Sequence, residues 1–145
     1  MKILLDTNIL VHAYNKSSPN QKQASKILKQ ALNGEINAYL TSQVVYEFYA
    51  VVTNPKRVEC PMSIDEAADL CTDLWGCREI EKVIPTQKTP HEVFKLTKEL
   101  KLSKGGIFDC IIAVTAKENN IDLIYSENIN DFKSYDFIKV INPLE

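Results

Sequence analysis

Three acidic residues stand where a carboxylate is unexpected. Asp6 directly follows the apolar run KILL, Glu47 borders the apolar stripe of QVVYEFYAVV, and Asp109 interrupts the apolar segment FDCIIAVTA. Burying a lone carboxylate is unfavourable by several kcal/mol unless the group is paired or binds a metal. Three separate segments thus each bring an acid to an end or margin of the core, which favours one shared anionic site.

Each acid also has a structural explanation that the sequence leaves open. Asp6 and Asp109 have the residue type that accepts backbone N–H groups and favours the dipole at a helix start. Glu47 would be satisfied by a salt bridge to a lysine. Each explanation accounts for one position, but three such coincidences are harder to accept than one site.

The segments that must position these acids alternate between strands and helices. Strands are predicted at Lys2–Asp6 and in INAYLTS, EKVIP, IDLIYS and FIKVIN. Helices are predicted at Asn8–Tyr14, from Pro19 to Asn33, at Ser42–Asn54, at Ser63–Gly76, at Thr89–Leu102 and around FDCIIAVTA, with capping boxes at Ser63/Glu66 and Thr89/Glu92. This order predicts an α/β fold in which a central parallel sheet of four to five strands carries helices on both faces. In such sheets, sites form beyond the carboxyl ends of the strands.

Composition indicates one domain over residues 1–145 and argues against a membrane protein. The chain is 45% hydrophobic and 25% charged, and no apolar run approaches the length that spans a bilayer. We therefore expect a cytoplasmic protein. Residues 1–57 hold seven Lys and Arg against three Asp and Glu, a net +4, whereas residues 58–145 hold ten against sixteen, a net −6. One face can therefore meet a polyanion although the net charge is −2.

The four acid-bearing segments, in this order, carry a family resemblance. DTN after the first strand, SQVVYEF and FDCIIAVTA in helices, and SENINDF after the fourth strand resemble the PIN-domain family of metal-dependent ribonucleases, close to VapC-like toxins. The resemblance spans essentially the whole chain. It implies that Asp6 and Asp109 bind metal with Glu47 as the third acid, and that Asn8 accompanies Asp6.

The fourth position of the family pattern is less well defined in this sequence. An Asp or Asn commonly stands two residues after the Ser or Thr that ends the last strand of the pattern, here Asn128 after Ser126, with Asp131 nearby.

Carboxylates crowded in one cleft repel one another, and a divalent ion with oxygen ligands, Mg²⁺ or Mn²⁺, would relieve this repulsion. Glu47 would then orient the attacking water or complete the metal shell.

Basic residues are expected around an acidic cleft whose substrate is a polyanion. Lys104, just before the double glycine that precedes Asp109, and Arg57 are predicted phosphate contacts; RNA as the substrate comes from the resemblance alone. Lys22, Lys26 and Lys29 fall on one helical face, which is either solvated or a further phosphate contact. The resemblance also implies a homodimer and an antitoxin partner.

Other Asp-based enzymes fit the sequence less well. A haloacid-dehalogenase-type phosphatase needs a second Asp two residues after the first, where Asn8 stands. A receiver domain needs an acceptor Asp after its third strand and a Lys after its fifth, which EKVIP and FIKVINP do not provide. A non-toxin RNA-processing PIN nuclease and a PIN-like binding module with a lapsed site remain open alternatives.

Overall fold

The computed structural model describes all 145 residues, and its centre is a five-stranded sheet in the order β3-β2-β1-β4-β5. All four strand pairs are parallel. The strands are β1 Lys2–Leu5, β2 Asn37–Thr41, β3 Glu81–Val83, β4 Leu123–Tyr125 and β5 Lys139–Ile141. The predicted parallel sheet is therefore confirmed, with each strand slightly shorter than its apolar segment.

Seven helices connect and cover the strands. They are α1 Thr7–Tyr14, α2 Gln21–Leu32, α3 Ser42–Val52, α4 Ile64–Gly76, α5 Thr89–Leu100, α6 Gly106–Glu118 and α7 Ile129–Phe132. Helices α1 to α4 contact one another in one group, whereas α5, α6 and α7 form a second group. Because the chain first proceeds outward from β1 to β3 and then crosses to β4, right-handed connections place these groups on opposite faces. None of the helices combines the length and apolar composition needed to cross a membrane.

The core lies on both sides of the two central strands. Leu4 and Leu5 of β1 and Ile124 of β4 are fully buried, as are Phe48 of α3 and Ala113 of α6. Strands covered on both faces have no polar side, which explains why KILL and IDLIYS are almost continuously apolar. The core thus fixes the ends of β1 and β4 next to each other.

Of the two predicted capping boxes, one helix start agrees with the sequence-based prediction and the other differs from it. The Ser63 hydroxyl does accept a hydrogen bond from the Glu66 amide at 3.1 Å. The capping box proposed for Thr89 and Glu92 is wrong, because α5 has no side-chain cap and its N-cap position is Lys88. The buried Thr89 hydroxyl donates instead to Glu118 at 2.6 Å, a tertiary contact that outcompetes local capping.

Two further differences concern segments between the predicted elements. Pro19 precedes α2 instead of lying in its first turn, since the helix begins at Gln21 with Asn20 at its N-cap. The four-residue helix α7 was not predicted, because INDF is too short to show helical periodicity.

The strand order has a switch point between β1 and β4. From β1 the chain continues to β2 on one side, whereas β4 packs against β1 on the other side. Ligands of open α/β sheets bind beyond the carboxyl ends of the strands at such a point. Here Asp6 follows β1 and Ser126 follows β4, so these two residues stand at the predicted place.

Candidate active site

Asp6 is both a helix cap and a buried acid at the switch point. Its backbone conformation is extended, and its Oδ1 accepts the Thr7 amide at 2.8 Å as α1 begins. Its side chain is almost fully buried. Burial raises the pKa of Asp6, although hydrogen bonds from Ser126 and Thr7 lower it in part. The two explanations of this residue therefore both hold: the cap fixes the carboxylate in the site.

Ser126 and Asn8 hold the second oxygen of Asp6. The Ser126 hydroxyl donates to Asp6 Oδ2 at 2.7 Å, and the Asn8 amide Nδ2 donates to the same oxygen at 3.2 Å. Asn8 also donates to Ser126 Oγ and accepts the Glu127 amide at 3.0 Å. These contacts tie the end of β1 to the end of β4. They leave the carboxylate without a positive partner.

Glu47 reaches the site from α3 and is held by neutral groups. The Thr7 hydroxyl donates to Glu47 Oε2 at 3.0 Å, and Gln43 Nε2, one helical turn earlier, donates to Oε1 at 2.9 Å. No lysine or arginine lies within ion-pair distance of this side chain. The lysine salt bridge that the sequence left open is therefore absent.

Asp109 lies in the first turn of α6, where it is half-buried and receives no side-chain hydrogen bond. Burial, followed by the negative charges of Asp131, Asp6 and Glu47, raises the pKa of Asp109 from 3.8 to about 7. The helix start by itself would favour the charged form. The raised pKa therefore means that nearby acids and burial outweigh the favourable helix position.

The two candidates for the fourth position, Asn128 and Asp131, lie in different surroundings. Asn128 lines the cleft, and its backbone amide donates to Ser126 Oγ at 3.0 Å. Asp131 is exposed on α7 and does not line the cleft, yet its charge contributes to the raised pKa values of both Asp6 and Asp109.

The acids share one open cavity of about 510 Å³ with predominantly polar walls. Asp6, Glu47 and Asp109 all line it, although their segments are far apart in the sequence. The two ion pairs of the chain, His12–Glu127 and Lys117–Glu92, include none of these three acids. The three carboxylates therefore line the cavity without an ion-pair partner.

The carboxylates form an open arrangement rather than a closed ligand cage. No three His, Cys, Asp or Glu side chains are arranged closely enough to hold a metal ion among themselves. Mg²⁺ requires less than such a cage, because it binds through one or two carboxylates and keeps several waters. The all-oxygen, unneutralised donor set of this cleft fits that mode of binding.

A histidine and an arginine also border the cleft. His12 accepts or donates hydrogen bonds at both ring nitrogens, to Ser18 Oγ at 2.6 Å and to Glu127 Oε2 at 2.8 Å. Arg57 lines the cavity and is exposed, whereas Lys104 is exposed before α6 and lies outside the cavity lining.

Nearly the whole chain matches a known protein family. The family model described as PIN domain matches residues 3–138 of the chain. The chain belongs to the PIN domain family. This PIN domain is 28% identical over 145 residues to "Ribonuclease VapC24" of Mycobacterium tuberculosis, with 97% of this chain and 95% of that protein covered.

Solved structures share the fold of this PIN domain. The structure of Mycobacterium tuberculosis VapC20, described as a sarcin-ricin loop cleaving toxin, superposes with a TM-score of 0.70 at 13% identity, over 94% of this chain and 96% of that one. A toxin-antitoxin complex from Klebsiella pneumoniae gives a TM-score of 0.63 at 17% identity, over 97% of each chain. At these low sequence identities, the superpositions show a common fold and nothing further.

Several residues of this site were not found by sequence reasoning. Thr7 and Gln43, which orient Glu47, were not singled out. The sequence favours a helix-packed or exposed role for His12 over one in the cleft, but this residue lines the cavity. The spacing of Gln43 four residues before Glu47 on a helix was an available signal. The Thr7–Glu47 contact joins residues 40 apart and has no local signature.

Proposed function

We propose that this PIN domain is a divalent-metal-dependent endoribonuclease that acts in the cytoplasm as the toxin of a type II toxin–antitoxin pair. The observation that carries the proposal is the convergence of Asp6, Glu47 and Asp109 in one cavity, where none of the three forms an ion pair. The 28% identity to a protein named as a ribonuclease, over nearly the whole chain, supports RNA as the substrate.

Asp6 and Asp109 would hold Mg²⁺ or Mn²⁺, with Glu47 completing the site directly or through water. When bound, such an ion polarises a phosphodiester and makes a bound water more acidic. The chemistry of the donors supports this assignment, since burial and then the charges of Asp131, Asp6 and Glu47 raise the pKa of Asp109 to about 7. No ion pair of the protein neutralises this carboxylate.

The remaining residues would arrange these acids for hydrolysis. Ser126 and Asn8 keep Asp6 Oδ2 in place. Thr7 and Gln43 each donate to one oxygen of Glu47, which leaves the second lone pair of each oxygen free to orient an attacking water. Arg57 in the cavity wall and Lys104 near α6 would contact RNA phosphates.

We further infer an antitoxin protein and a second copy of this chain as partners. Support for the antitoxin comes from the fold shared with the toxin-antitoxin complex of Klebsiella pneumoniae. The homodimer rests on the family resemblance.

The test is RNA cleavage by the purified chain in Mg²⁺, in EDTA and after Asp6→Asn. We expect cleavage in Mg²⁺, none in EDTA, and at least about a hundredfold loss for the variant, which keeps the shape but removes the charge. Cleavage that survives both changes would refute the proposal, and a chain inactive in all conditions would be a lapsed PIN module.

The toxin role is tested separately by inducing the chain in bacterial cells. Growth arrest by the wild type and normal growth with Asp6→Asn are expected. Active enzyme without growth arrest would instead indicate an RNA-processing nuclease.

A further inference from the structure

The charges of the α1–α4 layer are divided between its two outer helices. Helix α2 contains three lysines and no acid, whereas α4 contains four acids and no base. Helices α1 and α3, which carry Asp6's neighbours and Glu47, lie between them, since α1 packs on both α2 and α3, and α3 packs on α4. A polyanion in the cleft therefore meets attraction on the α2 side and repulsion on the α4 side.

The lysines of α2 form one continuous exposed face. Lys22, Lys26 and Lys29 are spaced by four and three residues, so they lie above one another over about 10 Å of helix. None of their ammonium groups takes part in an ion pair. By contrast, α5 places Glu92 and Glu99 three or four residues from a lysine, although no ion pair forms within that helix.

The lysine face also borders a polar depression in the surface. It lines a shallow depression of about 1060 Å³ together with side-chain amides, including those of Gln23 and Gln30, and with one acid, Glu35. Gln23 is anchored by a 3.3 Å hydrogen bond to the Pro143 carbonyl. Amide and ammonium donors on one surface match the acceptor oxygens of a phosphate backbone.

Hydrogen bonds connect α2 and the turn before it to α1, which contributes to the wall of the cleft. Gln21 and Ser25 of α2 both donate to the Ala13 carbonyl near the end of α1, at 3.1 and 3.0 Å. Ser18, in the turn before α2, contacts His12 of the cleft wall at 2.6 Å. The exposed Lys16 lies in this same turn. An RNA chain that leaves the cleft past His12 would thus meet hydrogen-bond donors and positive charge in the direction of α2.

We propose that the lysine face of α2, formed by Lys22, Lys26 and Lys29, binds the phosphate backbone of the RNA outside the cleft. This inference rests on the proposed ribonuclease function. It adds a second contact region that secures long RNA without reading its sequence, because contacts to phosphate carry no base information. Short RNA that fills only the cleft does not reach this face.

The test compares a neutralised lysine face with a matched control in the non-cleaving Asp6→Asn chain. One variant carries Lys22→Gln, Lys26→Gln and Lys29→Gln, and the control carries Lys95→Gln, Lys98→Gln and Lys139→Gln, which change the net charge equally at exposed positions elsewhere. The probe is a 30-nucleotide single-stranded RNA of mixed sequence, and Kd is measured across a range of salt concentrations.

Neutralising the α2 lysines is expected to raise Kd about tenfold and to reduce the slope of log K against log salt by about 2, since each single-strand phosphate contact contributes roughly 0.7. The control is expected to change Kd less than twofold. With the catalytic Asp6 restored, cleavage of a five-nucleotide RNA should be equal in all chains. Equal Kd values and slopes for the two triple variants would overturn the proposal.

The outcomes separate this inference from the proposed function. A wild-type chain that cleaves RNA while the two triple variants behave alike refutes only the α2 surface. A wild-type chain that binds the 30-nucleotide RNA through α2 but cleaves nothing refutes only the nuclease. A chain that neither binds nor cleaves RNA refutes both.

Discussion

Acidic residues in two regions of this molecule are treated in opposite ways. Between α5 and α6, Glu92 pairs with Lys117 at 3.0 Å, and Glu118 accepts the Thr89 hydroxyl at 2.6 Å. In the cleft, the half-buried Asp109 has neither an ion-pair partner nor a side-chain hydrogen bond. The first region uses its acids to join two helices. The second leaves an acid uncompensated in a partly desolvated place.

The cleft is therefore the region in which the fold keeps partly desolvated acids without ion pairs. Acids that are partly desolvated next to one another without ion pairs are unfavourable, and such departures from ordinary charge pairing concentrate at functional sites. The raised pKa values of Asp6 and Asp109 are the electrostatic expression of this departure. Removing an acid should therefore harm activity in one region and stability in the other.

The largest expected effect comes from Asp109→Asn compared with Glu92→Gln. Asp109→Asn should lower RNA cleavage by at least about a hundredfold, because a proposed metal ligand is lost. The same change should raise the melting temperature in EDTA at pH 8, because an unfavourable buried charge is removed. Both quantities are measured on the same preparations.

Glu92→Gln is the control, and it should give the opposite pattern. Cleavage should stay at the wild-type level, and stability should fall by about 0–1 kcal/mol, the ordinary value of an exposed ion pair. Destabilisation by Asp109→Asn in EDTA would contradict the contrast between the two regions.

A smaller effect is expected from the threonines that support an acid in each region. Thr7→Val removes the hydroxyl that donates to Glu47 and should lower cleavage about tenfold, with Thr7→Ser restoring it. Thr89→Val removes the hydroxyl that donates to Glu118 and should instead cost about 1 kcal/mol of stability with unchanged cleavage. Chemical denaturation and initial cleavage rates distinguish the two. Equal cleavage by the Thr7→Val and wild-type chains would exclude Thr7 as a positioning residue.

A further expected effect is the pH dependence of stability without metal. A carboxyl group whose folded pKa lies above its unfolded value makes folding bind a proton, so its favourable contribution is lost as the pH rises. For Asp109 this loss falls between about pH 4 and pH 7. The melting temperature of Asp109→Asn minus that of the wild type, in EDTA, should therefore increase across this window. A difference that stays constant or decreases would show that Asp109 is not perturbed.

How far the sequence predicts this molecule depends on the range of the interaction. Apolar segments and helix signals are local, so the order of strands and helices and the Ser63 cap were predictable. The strand-end rule placed Asp6 at the site, and the family resemblance joined it to Glu47 and Asp109. The Thr89 contact with Glu118 and the Thr7 contact with Glu47 required tertiary packing and had no signal in either segment.

The charge pattern gives a second instance of this limit. The helical spacing of the α2 lysines was visible in the sequence, but its meaning depended on the acidic helix α4 standing at the other side of the same layer. Similarly, His12 could be assigned to the cleft only once Glu127, 115 residues away, was placed beside it.

The most direct test of the central claim is the anomalous diffraction of crystals soaked in Mn²⁺. The account predicts a manganese peak in the cleft, about 2 Å from carboxylate oxygens of Asp6 and Asp109, and no peak there in Asp6→Asn crystals treated identically. A wild-type cleft that stays empty of manganese, or a peak that persists unchanged in the variant, would contradict the claim that these acids form a metal-dependent active site.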